Sequence, residues 1–443
     1  FGAEGPIIAT GGALGSLIGQ WVRTTAQERK TLLAAGASAG MAATFGSPVS
    51  AVLLSVELLL FEYRPRSLIP VALAAAVATA VRYAFVGAGA VFPMPELAEP
   101  SGGALAAYIV IGALVGIAAV GVTRAVYLVE DGFEKLPIHW MWWPALGAVA
   151  VGVIGYFAPR TMGVGYDNIE AIVGGTITGG ALIWLCAMKL ISWTISLGSG
   201  TSGGTLAPLF TIGGGLGATL GVATAAILPS LGVDPRIAAL VGMASIFAGA
   251  SRAMLASVVF AFETTRQPIG LLPLLGGCAA AYLISCLAMR NSIMTEKIVR
   301  RGVHVAGEYV ADFLASRPVR AHMTTEVARF TADDTLGHAR AFLSRGDGAA
   351  RHQGFPIVDG DGRVVGVLTR RDLFDAARGD QELLRTLVRR PPVVVHEDSS
   401  LREAVQQMAR AGVGRLPVVS RGEQQLVGIL SRSDVVTAEA QRS

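Results

Sequence analysis

The distribution of apolar and polar positions divides the chain into a long apolar part and a shorter part of mixed polarity. Apolar runs long enough to cross or enter a bilayer lie near residues 31–60, 67–92, 104–128, 140–158, 171–197, 206–229, 236–263 and 268–289. A straight span needs about 20 apolar residues, and several of these runs are longer and are interrupted by Gly or Pro. The pattern predicts a multi-pass α-helical membrane domain with tilted or broken helices over residues 1–302.

Two glycine-rich segments 202 residues apart indicate an internal duplication within this domain. The first begins Gly2-Ala3-Glu4-Gly5-Pro6, and the second begins Gly204-Thr205-Leu206-Ala207-Pro208. Glycines with the same offset follow, at positions 11, 12, 15 and 19 and at positions 213, 214, 217 and 221. We expect inverted repeats whose broken helices meet near the bilayer midplane, where such repeats form ion sites. Because residues 104–202 should have counterparts before residue 1, about a hundred upstream residues are expected to be missing.

Both segments have the features of a helix start that can bind an anion. Pro6 and Pro208 suit the first turn of a helix, where a missing N–H group costs nothing. Unpaired N–H groups at a helix start carry the positive end of the dipole and attract anions. Two such starts facing one another could hold a halide without a Lys or Arg that binds it too tightly. The alternative is an ordinary helix start, and the glycines spaced by four residues after it predict close helix packing.

Glu4 is a candidate gate. An ionisable residue inside a membrane segment is costly and is usually functional. A carboxylate at a helix N-terminus can occupy the place of an anion, and its protonation or movement would vacate that place. The alternative is an acidic residue that only caps the helix.

Composition and charge agree with this division. Hydrophobic residues make up 52% of the chain, charged residues 15%, and the mean hydropathy is +0.54. Residues 1–302 hold 31 charged side chains and residues 303–443 hold 37, so the second part should be soluble. The formal net charge of +4 gives no reason to propose nucleic acid as a partner. Cys186, Cys278 and Cys286 lie in apolar segments, so neither disulfides nor a metal site is predicted.

Residues 1–302 resemble the second two-thirds of the membrane domain of a CLC chloride channel or transporter. Gly2-Ala3-Glu4-Gly5-Pro6 is similar to the family's Gly-Arg-Glu-Gly-Pro signature, whose Glu is the external gate. Residues 198–208, Gly-Ser-Gly-Thr-Ser-Gly-Gly-Thr-Leu-Ala-Pro, are similar to the second signature, Gly-Ser-Gly-x-x-Gly-Gly-x-Phe-x-Pro. The resemblance implies a homodimer in the lipid bilayer with one chloride pore per subunit. It also implies that the anion is bound mostly by backbone amides, at Gly2, Ala3, Gly5, Thr205, Leu206 and Ala207.

Four positions depart from the family pattern. Ala3 replaces the usual Arg, and Leu206 replaces the usual Phe. Met294 aligns with the tyrosine that touches the central anion. Leu58 aligns with the inner glutamate of proton-exchanging relatives, and a Leu cannot carry a proton. Glu57 is adjacent, but neighbouring residues on a helix point about 100° apart, so it is an uncertain substitute.

The polar region after residue 302 contains a second repeat, with a period of about 62 residues. The copies span residues 316–378 and 387–438, and each predicts an amphipathic helix, two short strands and a further helix. The last helices open with Thr369-x-x-Asp372 and Ser431-x-x-Asp434, a helix N-terminus pattern. The region resembles a tandem CBS-domain pair, which implies that these four residues can contact an adenine nucleotide (ATP, ADP or AMP). The alternative is a capping box without a ligand.

The sequence therefore favours a chloride channel of the CLC type, gated by Glu4 and regulated by CBS domains, because Leu58 replaces the inner glutamate. The main alternative is a chloride/proton antiporter of the same family, and a CBS-regulated cation transporter is a more distant one. No catalytic motif is present and the six histidines do not cluster, so we do not expect an enzyme or a required cofactor. The resemblance implies a bacterial inner or plasma membrane with a cytoplasmic CBS pair.

Overall fold

The computed structural model describes residues 4–22, 24–201, 203–302, 313–345, 348, 352–422 and 424–440. Contacts within the chain divide it into two units, Phe1–Val310 and Ala311–Ser443. The first unit consists of helices, whereas the second combines helices with two small sheets. This confirms the predicted class, an α-helical membrane domain followed by an α/β region.

The helices of the first unit follow the apolar runs. Their bounds are Glu4–Trp21 (α1), Ala26–Phe45 (α2), Pro48–Leu54 (α3), Pro65–Val86 (α4), Gly102–Glu134 (α5), Trp143–Phe157 (α6), Tyr166–Val173 (α7), Gly179–Gly198 (α8), Leu206–Ile227 (α9), Pro235–Ser251 (α10), Met254–Thr265 (α11), Leu271–Ala288 (α12) and Glu296–Arg300 (α13). Among the described residues, six helical segments are long and apolar enough to cross a membrane. The chain therefore has the multi-pass character that the sequence predicts.

The long apolar run near residues 31–60 is broken, as its glycine and proline content predicts. Helix α2 ends at Gly46, whose φ of 60° places it in the left-handed conformation that glycine adopts without strain. Pro48 then starts α3, and a π-helical turn, Ser55–Leu60, continues it. One apolar run thus provides two helices that lie side by side in the fold.

The glycine stripes allow α1 to approach α2, and α9 to approach α10, to within backbone contact. A Cβ atom added at Gly11 would overlap the carbonyl of Gly36, and one added at Gly213 would overlap the carbonyl of Gly242. Since Gly11 and Gly213 are equivalent in the duplication, both halves use glycine for close contact between neighbouring helices. The close packing predicted from the spacing of these glycines is confirmed.

Aromatic side chains fill the centre of the first unit. Phe45 and Phe247, which the duplication relates, each pack against an aromatic ring, with centroid distances of 4.8 Å to Phe260 and 5.7 Å to Phe210. The Phe210 and Phe260 rings are 5.1 Å apart and complete the cluster. This core joins the two halves of the duplication close to the starts of α1 and α9.

The second unit contains two copies of one short pattern. Its elements are Phe313–Ser316 (α14), Phe330–Thr331 (β1), Leu336–Ser344 (α15), Gly354–Val358 (β2), Val364–Thr369 (β3), Arg370–Leu373 (α16), Leu384–Leu387 (α17), Val395–His396 (β4), Leu401–Ala411 (α18), Arg415–Val419 (β5), Leu426–Ser431 (β6) and Arg432–Ala440 (α19). In each copy a parallel strand pairs with the first strand of an antiparallel pair. The predicted helix, two strands and helix are present, and the structure adds the two-residue strands β1 and β4.

The two copies bury separate apolar cores but share backbone hydrogen bonds. One core is built around Leu336, Phe355 and Leu368, and the other around Leu401 and Leu416. The segment before β1 crosses to the second copy, where the Val319 amide donates to the Ser399 carbonyl at 2.8 Å. The Thr324 amide likewise donates to the Ile429 carbonyl at 2.9 Å. The copies therefore pack as a pair, as the small size of each one predicts.

Candidate functional site

The starts of α1 and α9 lie next to each other. A Cβ atom added at Gly5 would lie 3.8 Å from the Gly203 carbonyl and from the Gly204 amide nitrogen. Helix α9 begins with Thr205 as N-cap, whose side chain makes no capping hydrogen bond, and Leu206 and Ala207 in its first turn are buried. The amides of this first turn thus keep the positive end of the helix dipole beside α1. Gly2 and Ala3, also predicted as anion ligands, lie outside the described residues.

Glu4 is buried at the start of α1. Its side chain is 2% exposed, and its Oε1 accepts a hydrogen bond from the hydroxyl of Tyr166 at 2.9 Å. The other oxygen, Oε2, is buried and has no hydrogen-bond partner among the described residues. A buried carboxylate with only one donor is costly to keep ionised. The Tyr166 hydroxyl is thus the side-chain donor that the described residues provide to this carboxylate.

Lys189, on α8, is a second buried ionisable residue close to this position. Its Nζ donates to the Thr161 carbonyl at 2.9 Å and to the Gly163 carbonyl at 3.4 Å. Both carbonyls belong to the segment between α6 and α7, so Lys189 holds that segment in place. Its ammonium group also lies within electrostatic range of the Glu4 carboxylate. Lys189 therefore ties the segment that carries Tyr166 to α8 and interacts electrostatically with Glu4.

The segment held by Lys189 lines a cavity of about 490 Å³. Residues 159–160 and 162–168 and Ala171 form its wall, which includes the charged residues Arg160 and Asp167. Tyr166 belongs to this wall and is also the residue that contacts Glu4. One residue, Tyr166, thus both lines the cavity and donates a hydrogen bond to Glu4.

Sequence reasoning identified Glu4 but missed Tyr166 and Lys189. Lys189 could have been found, because it is the sole charged residue in the apolar run 171–197 and such residues are usually functional. Tyr166 follows the turn residues Gly163 and Gly165, but nothing in the sequence links it to Glu4, 162 positions away. Only the folded chain brings the two together.

Glu57 and Leu58 lie in the π-helical turn Ser55–Leu60, which continues α3. The carboxylate of Glu57 accepts hydrogen bonds from the amides of Leu255 and Ala256, at 3.1 and 2.9 Å, at the start of α11. Leu58 is partly buried and packs against the main apolar core. Glu57 is thus hydrogen-bonded to the start of α11, whereas Leu58 packs in the apolar core.

Met294 lies in the segment between α12 and α13. It is partly buried against the same core, and its amide donates to the Ser292 hydroxyl at 3.3 Å. The preceding residue, Ile293, is fixed by two hydrogen bonds: its amide donates to the Ala250 carbonyl, and its carbonyl accepts from the Tyr127 hydroxyl, both at 2.8 Å. A methionine thioether cannot donate a hydrogen bond, so its side chain cannot contribute as the aligned tyrosine would.

The four candidate nucleotide ligands of the second unit pair with one another. The Thr369 hydroxyl donates to the Asp372 carboxylate at 2.6 Å, and the Ser431 hydroxyl donates to the Asp434 carboxylate at 2.7 Å. In each case the acid also accepts from the backbone amide of the hydroxyl residue, at 2.8 and 2.7 Å. These are the contacts of a capping box. They neither use nor exclude a nucleotide.

Family comparisons assign both units of the chain. Residues 1–286 match the family model described as voltage gated chloride channel, and residues 319–379 and 384–441 match the CBS domain model. The chain belongs to the voltage gated chloride channel family, the CLC proteins, and carries a tandem CBS pair; it is an integral membrane protein. The resemblance inferred from the two glycine signatures is confirmed.

Several relatives and solved structures are similar over the membrane unit. The H(+)/Cl(-) exchange transporter ClcA of Vibrio campbellii is 29% identical over 306 residues, which cover 68% of this chain and 65% of the relative. The ClcA protein of Yersinia pestis is also 29% identical, over 64% of this chain and 61% of its own length. This chain therefore spans slightly less than two thirds of the length of these relatives.

Among solved structures, that of a slow cyanobacterial Cl-/H+ antiporter is 25% identical with a TM-score of 0.63, and the match covers 68% of this chain and 71% of that one. A eukaryotic CLC transporter, 22% identical with a TM-score of 0.57, matches over 98% of this chain and 76% of its own length and shows similarity of fold.

Within the described ranges, His, Cys, Asp and Glu side chains form no cluster of three or more that could hold a metal ion.

Proposed function

We propose that the chain carries chloride across a membrane in exchange for protons, with Glu4 as the gate between the starts of α1 and α9. The observation that carries the proposal is the burial of Glu4 at one helix start while the second lies in contact with Gly5. A carboxylate and a chloride compete for the same positive helix ends. Protonation of Glu4 neutralises its carboxylate and ends that competition. The movements of chloride and of protons therefore both depend on this residue.

The relatives support exchange rather than a passive channel. The two relatives compared above are both named H(+)/Cl(-) exchange transporters, and one similar structure is of a Cl-/H+ antiporter. The channel interpretation made from the sequence is thus less well supported than its antiporter alternative. The specific observation that still favours a channel is Leu58, an apolar residue at the position of the inner glutamate.

The reversal potential of full-length protein in liposomes distinguishes the two functions. Under a fixed chloride gradient, an imposed pH gradient shifts the reversal potential of an exchanger and leaves that of a channel unchanged. We expect a shift. Glu4→Gln, which cannot be protonated, should abolish the shift while chloride flux continues. The matched control is Glu99→Gln, an exposed glutamate in a loop, which should behave as wild type.

A second proposal concerns the CBS pair, where we expect an adenine nucleotide to bind. The supporting feature is the hydroxyl and carboxylate pair at the start of α16, repeated at the start of α19. Titration calorimetry of full-length protein with ATP and AMP, compared with Asp372→Ala and Asp434→Ala, tests it. Heat of binding that either substitution removes supports the proposal. If the wild-type protein gives no heat of binding with either nucleotide, the proposal is rejected and these residues serve only as helix caps.

The family resemblance also leads us to propose a homodimer. Helix α4 displays Ile69, Leu73 and Val77 at intervals of four residues, each more than half exposed in the single chain. Such a stripe can be covered by lipid or by a second copy. Cross-linking of Leu73→Cys in lipid nanodiscs should give a disulfide-linked dimer if the stripe lies at the subunit interface.

A further inference from the structure

The hydroxyl of Tyr166 is the donor that the described structure provides to Glu4. We propose that Tyr166 is a positioning residue for the gate: its hydroxyl holds the Glu4 carboxylate at the start of α1. The inference deepens the proposed function and rests on Glu4 being the gate.

The ring of Tyr166 is firmly supported. Its centroid lies 5.7 Å from that of Phe45 and 5.9 Å from that of Phe92, both in edge-to-face geometry. The amide of Phe92 donates to the Thr264 carbonyl at 3.0 Å, so this support is itself tied to the end of α11. An aromatic ring held on two sides keeps its hydroxyl at one point in space. Tyr166 therefore presents a fixed donor.

The backbone around Tyr166 is fixed as well. Helix α7 begins at Tyr166, directly after Gly165, whose φ of 93° is accessible to glycine without strain. Lys189 binds the Thr161 and Gly163 carbonyls just before this turn. The Asn168 side-chain amide donates to the Arg160 carbonyl at 2.7 Å and closes the same segment. The hydroxyl is thus placed by the fold and not by Glu4.

A neutral donor suits a gate that must release its carboxylate. Among the described residues, Tyr166 donates to Glu4 and Lys189 interacts with it electrostatically, while Lys189 directs its ammonium protons to backbone carbonyls. A hydrogen bond from a phenol stabilises the ionised carboxylate without the strong attraction of a full ion pair. The carboxylate can therefore be held and still leave.

Tyr166 also belongs to the wall of the cavity between α6 and α7. Tyr166 lines the cavity of about 490 Å³ and donates its hydroxyl to Glu4. A phenol donates to a halide as it does to a carboxylate, and the cavity wall contains both a basic residue, Arg160, and an acidic one, Asp167. Tyr166 thereby links the cavity to the helix starts.

Tyr166→Phe tests the inference, because it keeps the ring packing and removes only the donor. Chloride flux of full-length protein in liposomes is measured as a function of pH. Since the lost bond stabilised the ionised carboxylate, the pH of half-maximal flux should rise by about one unit, a tenfold change in proton concentration. In the Glu4→Gln background Tyr166→Phe should cause no shift. The matched control is Tyr156→Phe, an exposed tyrosine on α6.

Two outcomes would overturn the inference in different ways. If Glu4→Gln changes the pH profile and Tyr166→Phe does not, the positioning role is rejected and the proposed gate stands. If Glu4→Gln leaves the profile unchanged, the gate fails and the inference fails with it. Should Tyr166→Phe not be recovered in folded form, 3-fluorotyrosine at position 166 provides an isosteric test. As a stronger donor it should move the midpoint to lower pH, and an unchanged midpoint would reject the role.

Discussion

Glu57 and Glu263 cap each other's helices. The Glu57 carboxylate accepts the amides of Leu255 and Ala256 at the start of α11, and the Glu263 carboxylate accepts those of Val49 and Ser50 at the start of α3, at 3.1 and 2.8 Å. The equivalent residues are 206 positions apart in every case. Each carboxylate compensates the positive end of the opposite helix dipole. The duplication thus produces a symmetric pair of capping interactions between the α3 and α11 segments.

This symmetry predicts that Glu57→Gln and Glu263→Gln have similar effects. Each change keeps one acceptor oxygen and removes the charge at a helix start, so each should cost about 1–3 kcal/mol of stability. Thermal unfolding in detergent measures this cost. Chloride and proton transport by the folded fraction should be retained in both variants.

The same pair of variants decides whether Glu57 carries protons. If Glu57→Gln abolishes the effect of a pH gradient on the reversal potential and Glu263→Gln does not, the two residues are functionally distinct. Glu57 would then be the inner proton carrier as well as a cap. If a pH gradient shifts the reversal potential equally in both variants, Glu57 has only a structural role.

The helix starts were predictable, whereas their neighbours were not. The Gly-Pro pattern around Pro6 and Pro208 is local and repeated, so the sequence sufficed to expect α1 and α9 to begin there. Strands β1 and β4 escaped prediction because two residues are too few to show an alternating pattern. Tyr166 and the capping contacts of Glu57 depend on long-range contacts, and a single sequence gives no signal for those.

The close approach of α1 to α2 leads to a prediction about Gly11. Gly11→Ala would force a methyl group into the Gly36 carbonyl, and Gly213→Ala would force one into the Gly242 carbonyl. Overpacking of this kind typically costs about 1–3 kcal/mol. Both variants should therefore unfold at lower temperature in detergent.

The control for these substitutions is Gly121→Ala on α5, where an added Cβ atom would meet nothing within 4 Å. It should leave the unfolding temperature unchanged or raise it, because alanine is the better helix former. A Gly11→Ala variant as stable as Gly121→Ala would show that α1 and α2 do not pack as described.

Asp334 gives the second unit a pH-dependent contribution to stability. Burial raises the pKa of this carboxyl group, but hydrogen bonds from Thr331, whose amide lies at 2.7 Å, and from His338 at 3.1 Å outweigh it and lower the pKa below 3.8. Because the folded pKa is depressed, the contribution is present above pH 3.8 and is lost as the pH falls through the folded value.

Chemical unfolding of residues 311–443 at several pH values measures this contribution. Asp334→Asn should flatten the fall in stability at acid pH. The neighbouring Asp333→Asn, whose side chain is 78% exposed in an ion pair with Arg385, should change it little. Equal effects of the two substitutions would contradict the assignment to Asp334.

We propose that peptide amides at the starts of α1 and α9 hold the anion. Anomalous diffraction from crystals of Glu4→Gln soaked in bromide tests it most directly, because removing the carboxylate leaves the position open to the halide. We expect an anomalous peak between the two helix starts, within hydrogen-bonding distance of the amides of Gly5, Leu206 or Ala207. Bromide peaks elsewhere in the membrane unit, with none between these helix starts, would contradict it.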